Sequence, residues 1–245
     1  MRSIESHRNF LKAYLWDKWD QLERDQEKGI ASPDLQKPVG ADAAFIELVA
    51  RKDFSVGGMP LADALASRRS HRKFTDQPLN LEELSYLLWS VQGITGDNEE
   101  RRTAPSAGGR HPIETYLAVN RVDGVRPGLY RYMPVTHRLL VMGKVDGLDQ
   151  RMADACKGQK FVAAGAAVFV WTATPYRSEW RYGLVSHKMI AVDAGHLCQN
   201  LYLASRSIDA GACAIGKYSQ DKMDGLLGVD GTDEFTIYAA VVGKV

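Results

Sequence analysis

The chain has 245 residues, 45% of them hydrophobic, with Lys+Arg 31 against Asp+Glu 30 and a net charge of +1. That is apolar material for one large domain or two small ones, and the balanced charge argues against nucleic acid or an anionic membrane as the main partner. Three widely spaced cysteines, Cys156, Cys198 and Cys213, match neither a disulfide framework nor a zinc pattern and fit a reducing compartment.

The start, Met1-Arg2-Ser3-Ile4-Glu5, lacks the apolar run of a signal peptide, and no apolar stretch reaches the roughly 20 residues of a membrane span. A soluble cytoplasmic protein is expected. Residues 3–28 carry Phe10, Leu11, Tyr14, Leu15, Trp19 and Leu22 at helical steps, which predicts a first helix packed on a core or on a partner subunit. The stretch 29–58, with Pro33, Pro38 and Gly40, reads as a surface connection. A short helix over 61–68 ends in a cluster of arginines. Asn80-Leu81-Glu82-Glu83 forms a capping box that opens an apolar helix through Val91.

The loop 93–111 is long for a compact domain and is therefore a functional candidate. Strands are predicted over 115–122, 128–133 and 138–142, then a helix over 148–157. Residues 165–174 are continuously apolar, the pattern of a strand buried on both faces. A long helix over 185–207 is apolar on nearly every side, so a second subunit is expected to cover one face, with Leu201 on that face. Strands at 213–215 and 235–242, with a helix over 220–227 between them, complete an α+β chain with a central sheet flanked by helices. The expected division is an N-terminal helix and extended arm, 1–60, followed by one domain, 61–245.

Two stretches stand out chemically and are expected to lie together. Arg68-Arg69-Ser70-His71-Arg72 puts three guanidinium groups and a hydroxyl where a helix stops, which suits a phosphate. Pro105-Ser106-Ala107-Gly108-Gly109-Arg110-His111-Pro112 is a loop whose paired glycines let the backbone approach a flat ligand. The competing readings are a solvated basic face and an ordinary turn. On the long helix, Asp193, His196 and Asn200 share a stripe with Gln199 beside it, and His196 reads as a buried structural group. No metal site emerges, Cys156 and Cys198 read as core fillers, and neither a phosphate-binding P-loop nor a dinucleotide fingerprint is present.

The segment Arg68-Arg69-Ser70-His71-Arg72-Lys73-Phe74 with Leu81-Glu82-Glu83-Leu84 resembles the opening signature of the nitroreductase superfamily of FMN enzymes. The loop from Pro105 to Glu114 resembles more narrowly the SagB-type dehydrogenase branch. So do Gly128-Leu129-Tyr130-Arg131-Tyr132, the stretch Asp193-Ala194-Gly195-His196 to Gln199-Asn200-Leu201, and Cys213-Ala214-Ile215-Gly216, all in the expected order from about residue 60 onward.

The resemblance implies a nitroreductase-like fold, with a mixed, mainly antiparallel sheet, in a homodimer holding two FMN at its interface. It implies that Arg68, Arg69, Ser70 and Arg72 clasp the ribityl phosphate and pyrimidine edge. Pro105, Ser106, Ala107, Gly108 and Gly109 would lie beside the ring, and Gly216 and Lys217 would approach its other side. Hydride would pass through flavin N5, from NAD(P)H to a nitro, quinone or similar small acceptor. No membrane or nucleic-acid partner is implied.

Two departures matter. Only Lys244 stands where relatives carry a further basic residue for the phosphate. Where the azoline-oxidising branch has a Lys-Tyr pair, this chain has Arg181-Tyr182, and arginine cannot serve as a base at ordinary pH. Arg181 and Tyr182 thus stand as candidates for substrate contact. The alternatives are a SagB-type FMN dehydrogenase oxidising a peptide azoline or small heterocycle, and a flavin-binding protein without turnover.

Overall fold

The computed structural model describes residues 3–245. Its frame is a seven-stranded sheet: β1 (Phe45–Glu47), β2 (Ile113–Val119), β3 (Gly128–Met133), β4 (Arg138–Gly143), β5 (Ala167–Ala173), β6 (Ala210–Ile215) and β7 (Phe235–Lys244), in the spatial order β1-β4-β3-β2-β5-β7-β6. The expectation of a mixed sheet is corrected in detail. Every pairing between these strands is antiparallel, and parallel character is confined to isolated bridges at Ser70 with Ala212 and Leu79 with Val122.

β5 lies near the middle of the sheet, and its period-two side chains feed two cores. Phe169 and Trp171 join one cluster, while Val168 and Val170 join the other. On the first face lie α2 (Leu61–Ser67), α3 (Leu81–Gln92) and α7 (Ser186–Arg206); on the second lie α4 (Leu148–Ala155), α5 (Phe161–Ala164) and α8 (Gln220–Leu227). Thus a strand apolar at every position but Thr172 is covered on both sides, as its sequence predicts. The Asn80 capping box is also present: Asn80 Oδ1 accepts from Glu83 N at 2.8 Å, and Glu83 Oε2 accepts from Asn80 N at 2.9 Å.

The first helix is shorter than expected. α1 (Ile4–Phe10) has no buried residue and is followed by a 3-10 turn, Tyr14–Gln21, kinked at Lys18. A short helix depends on packing for its stability, and here Phe10 and Tyr14 stay exposed while Trp16 and Trp19 gather at Tyr182. Trp16 and Trp19 stack at 5.0 Å and lie 6.4 and 6.2 Å from the Tyr182 ring. Tyr182 closes α6 (Tyr176–Tyr182), which the apolar pattern does not reveal.

The connection 29–58 is more structured than a surface tether. Lys37 N donates to Glu114 Oε1 at 2.8 Å, Arg102 donates to Leu35 O at 2.9 Å, and β1 pairs with β4 at the sheet edge. The three cysteines are free and buried. Among the described residues no helix is long and apolar enough to cross a membrane.

α7 also corrects an expectation. Leu201 is fully buried in the chain's own core, while Ala191, Val192, Gly195, His196 and Gln199 form the exposed face. Leu201 therefore cannot face a partner.

Candidate functional site

The arginine segment leaves α2 and lies along the edge strand β6. Ser70 bridges Ala212, and His71 N donates to Ala212 O at 2.9 Å. Gly211 permits this approach, since a Cβ there would stand 2.6 Å from the His71 ring. Ser70 Oγ and the Tyr202 hydroxyl are 2.9 Å apart, and that hydroxyl accepts from Ala214 N at 2.8 Å. The segment is thereby fixed to both β6 and α7.

Its charges are uncompensated. Among the described residues Arg68, Arg69 and Arg72 have no carboxylate within ion-pair distance. Arg68 sits over the Tyr202 ring at 5.4 Å and Arg72 over Phe161 at 5.9 Å. Arg69 turns back, donating to Ala66 O at 3.1 Å and Arg68 O at 2.7 Å, so it caps its own helix end. Arg206, which the sequence reading missed, adds a fourth guanidinium from the last turn of α7. It donates to Ser67 Oγ at 3.4 Å and, like the others, has no carboxylate partner. Burial lowers the pKa of His71, and the Arg206 charge adds to this. Gly216 and Lys217 follow the end of β6 and are exposed.

Lys244 is not free to join them. Its Nζ meets Glu83 Oε1 and donates to Ile208 O at 2.7 Å in a buried ion pair.

The glycine loop sits elsewhere. Ser106 Oγ donates to Asp193 Oδ2 at 2.6 Å and accepts from His111 N at 2.9 Å, tying the loop to the first half of α7. Burial pushes the Asp193 carboxyl above the usual carboxylate range, against the pull of Ser106 and of the Ala107 N–H. Gly108 has φ +59°, and a Cβ there would lie 2.4 Å from the Tyr182 hydroxyl and 3.1 Å from Arg181 Cδ. The glycine is thus demanded by packing within the chain as well as by its backbone conformation. The same contact brings Arg181 and Tyr182 against the Ala107–Gly109 turn, so these two sets of candidates do come together.

The loop and the arginine segment do not. Asp193 and Tyr202, their respective anchors, are nine residues apart on one helix, roughly 13 Å at 1.5 Å per residue. The two stretches are thus held at different turns of α7, and no hydrogen bond joins them among the described residues. Sequence spacing carries no signal of this, because both anchors lie on a helix whose ends are equally apolar. His196 is likewise corrected: it is exposed beside the loop, not buried.

His111 closes the loop and is buried, with Nε2 2.8 Å from Glu100 O. Burial, reinforced by Arg102, lowers its pKa from 6.5 to about 4. The unfolded chain takes up a proton near 6.5 and the folded one near 4, so stability is intact above 6.5 and is lost as pH falls toward 4. The loss amounts to about 3 kcal/mol. His111→Gln should flatten this part of the profile, which denaturant unfolding above pH 6.5 and close to pH 4 will show.

Fold and site together define an α+β protein with an unneutralised arginine cluster on a sheet edge and a glycine turn tied to the same long helix. The sequence model of the family described as "Nitroreductase family" matches residues 65–244, and the chain belongs to that family. A candidate nitroreductase of Methanocaldococcus jannaschii is 31% identical over 185 residues, covering 75% of this chain and 90% of that one. The crystal structure of a candidate nitroreductase from Ralstonia eutropha is similar with a TM-score of 0.70 at 30% identity, over 87% of this chain and 95% of the other. The trifolitoxin-processing protein TfxB of Rhizobium leguminosarum bv. trifolii is 27% identical over 151 residues, which is 59% of this chain and 35% of that protein.

Proposed function

We propose that the chain is an FMN-dependent oxidoreductase of nitroreductase type, acting as a homodimer, with NAD(P)H as electron donor and a nitro, quinone or similar small molecule as acceptor. The observation that carries this reading is the arginine segment along the edge strand. Arg68 lies over the Tyr202 ring that also holds the Ser70 hydroxyl, Arg72 lies over Phe161, and neither guanidinium has a carboxylate to neutralise it, donors that suit a phosphate monoester. Residues 61–245 would form the flavin domain and 1–60 an arm wrapped on it, in keeping with the family match over 65–244. The free cysteines support a reducing, cytoplasmic setting.

In this reading Arg68, Ser70 and Arg72 hold the phosphate, helped by Arg206, while Gly216 and Lys217 approach from the end of β6. The turn at Pro105, Ser106, Ala107, Gly108 and Gly109 is anchored about nine residues along α7 from the grip and packs against Arg181 and Tyr182 rather than against the arginine segment. A two-fold arrangement of α7 against α7 would reverse one copy and set the turn of the second chain against the grip of the first. The exposed face of α7, with Ala191 and Gly195 among its residues, suits such a close helix approach. Bound FMN supplies hydride and electron transfer at its ring, and the chain contributes position, charge and exclusion of water.

The second reading, a SagB-type dehydrogenase acting on a peptide azoline or small heterocycle, is favoured by the trifolitoxin-processing relative. Against it stands Arg181 in place of a base. A flavin store without turnover is the third. Purified protein should be yellow and release FMN, not FAD, on denaturation. It should also oxidise NAD(P)H through many turnovers with a quinone or nitroaromatic. Release of FAD would contradict the cofactor assignment, and a protein that stays reduced after one turnover would favour the store.

A further inference from the structure

Residues 9–16 of the arm lie alongside the first turns of α7 and the Pro105–Ala107 part of the glycine loop, forming a half-open cavity of about 790 Å³. That volume lies in the range of small-molecule sites. Its walls are apolar and partly aromatic, with Phe10, Tyr14 and Trp16 from the arm facing Val185 and Val192 from the core. The charged groups along it are mostly cationic. Lys12 and Lys188 both line it, and neither has a carboxylate within ion-pair distance among the described residues. Lys12 Nζ is over the Tyr14 ring at 5.2 Å, and Lys188 Nζ donates to the Leu11 carbonyl. His187 is paired with Glu179 at 2.7 Å, and the one carboxylate of the lining, Asp193, is taken by Ser106.

An apolar, aromatic cavity with two unneutralised ammonium groups has a chemical complement: a flat apolar molecule carrying a single negative charge. We propose that this cavity selects anionic aromatic electron acceptors, and that Lys12 and Lys188 set that selectivity. The arm then has a role beyond packing, since it supplies both the aromatic wall and one of the cations. The cavity is bounded on one side by the chain's own arm, while Val192 and His196, on the exposed face of α7, stand where a second copy of the chain would border it.

The term acceptor rests on the flavin reading, but the binding does not, and the test separates the two. Isothermal titration of the purified full chain with para-nitrobenzoate and with para-nitrobenzamide compares probes of one shape that differ in charge. The expected result is tighter binding of the benzoate by roughly tenfold, the scale of one solvent-screened charge-assisted hydrogen bond. Lys12→Gln and Lys188→Gln should each erode that preference, and Lys12→Arg and Lys188→Arg should restore it. Trp16→Ala should weaken both probes alike. Flavin content, read by absorbance, should stay constant throughout; its absence from the wild type would count against the cofactor assignment and leave the selectivity measurable. Equal affinity for the two probes, or Gln variants that keep the preference, would overturn the proposal. So would failure of both probes to bind, the outcome if a second chain fills the cavity.

Discussion

Arg68→Ala should lower FMN affinity by about ten- to a hundredfold. A charge-assisted hydrogen bond to a phosphate contributes roughly 1.5–3 kcal/mol, and each 1.4 kcal/mol is about a factor of ten. Arg68 is the guanidinium best placed for this. It is half-buried over Tyr202, has no carboxylate to share it, and its neighbour Ser70 is pinned to that same tyrosine. Arg69 offers an internal control, because its Nη1 already serves two backbone carbonyls, and Arg69→Ala should cost distinctly less. The fold should tolerate both changes, since α2 buries only Ala64. Titration of the apoprotein with FMN, with a thermal melt of each variant, checks the result. Equal affinity for Arg68→Ala and the parent would remove the phosphate role.

The frame of the protein was legible wherever one residue pattern had one physical solution. The run at 167–173 could only be a strand buried on both faces, and Asn80 with Glu83 could only begin a helix. The arm was not legible. Trp16 and Trp19 sit in a stretch of helical spacing, but nothing local shows that their surface is Tyr182, more than 160 residues away in sequence. α6 was missed for a related reason: its buried Arg177 is held by polar partners, so no continuous apolar stripe marks the helix. Arg177 pairs with Glu114 at 2.6 Å and donates to the His111 carbonyl at 3.2 Å.

In the candidate site the residue types were readable and their grouping was not. The arginine cluster announced an anion, and the glycines a special turn. That the two are anchored about nine residues apart on α7 depends on Ser106 reaching Asp193 and Ser70 reaching Tyr202. Those are two long-range hydrogen bonds without a sequence signature. Lys244 shows the converse. It looked available by position, yet the buried Glu83 carboxylate claims it.

The separation of grip and turn makes the second large prediction. If one flavin needs the arginines of one chain and the glycine turn of another, breaking the dimer must also release the flavin. Gly195→Glu is the suitable change. The position is exposed in mid-helix, and a Cβ there meets nothing within 4 Å. Removing a helical glycine should make the single chain slightly more stable, by up to about 1 kcal/mol. A charge in the middle of an α7–α7 contact would be left buried against its symmetry copy, which is strongly unfavourable. The variant should therefore be a well-folded monomer with FMN affinity reduced by well over tenfold.

Sedimentation velocity with flavin absorbance followed in the same run tests this most directly. The parent protein should sediment as a dimer with the flavin moving at the dimer boundary, and Gly195→Glu as a monomer with its flavin left unsedimented. A parent chain that sediments as a monomer while carrying stoichiometric FMN would contradict the account.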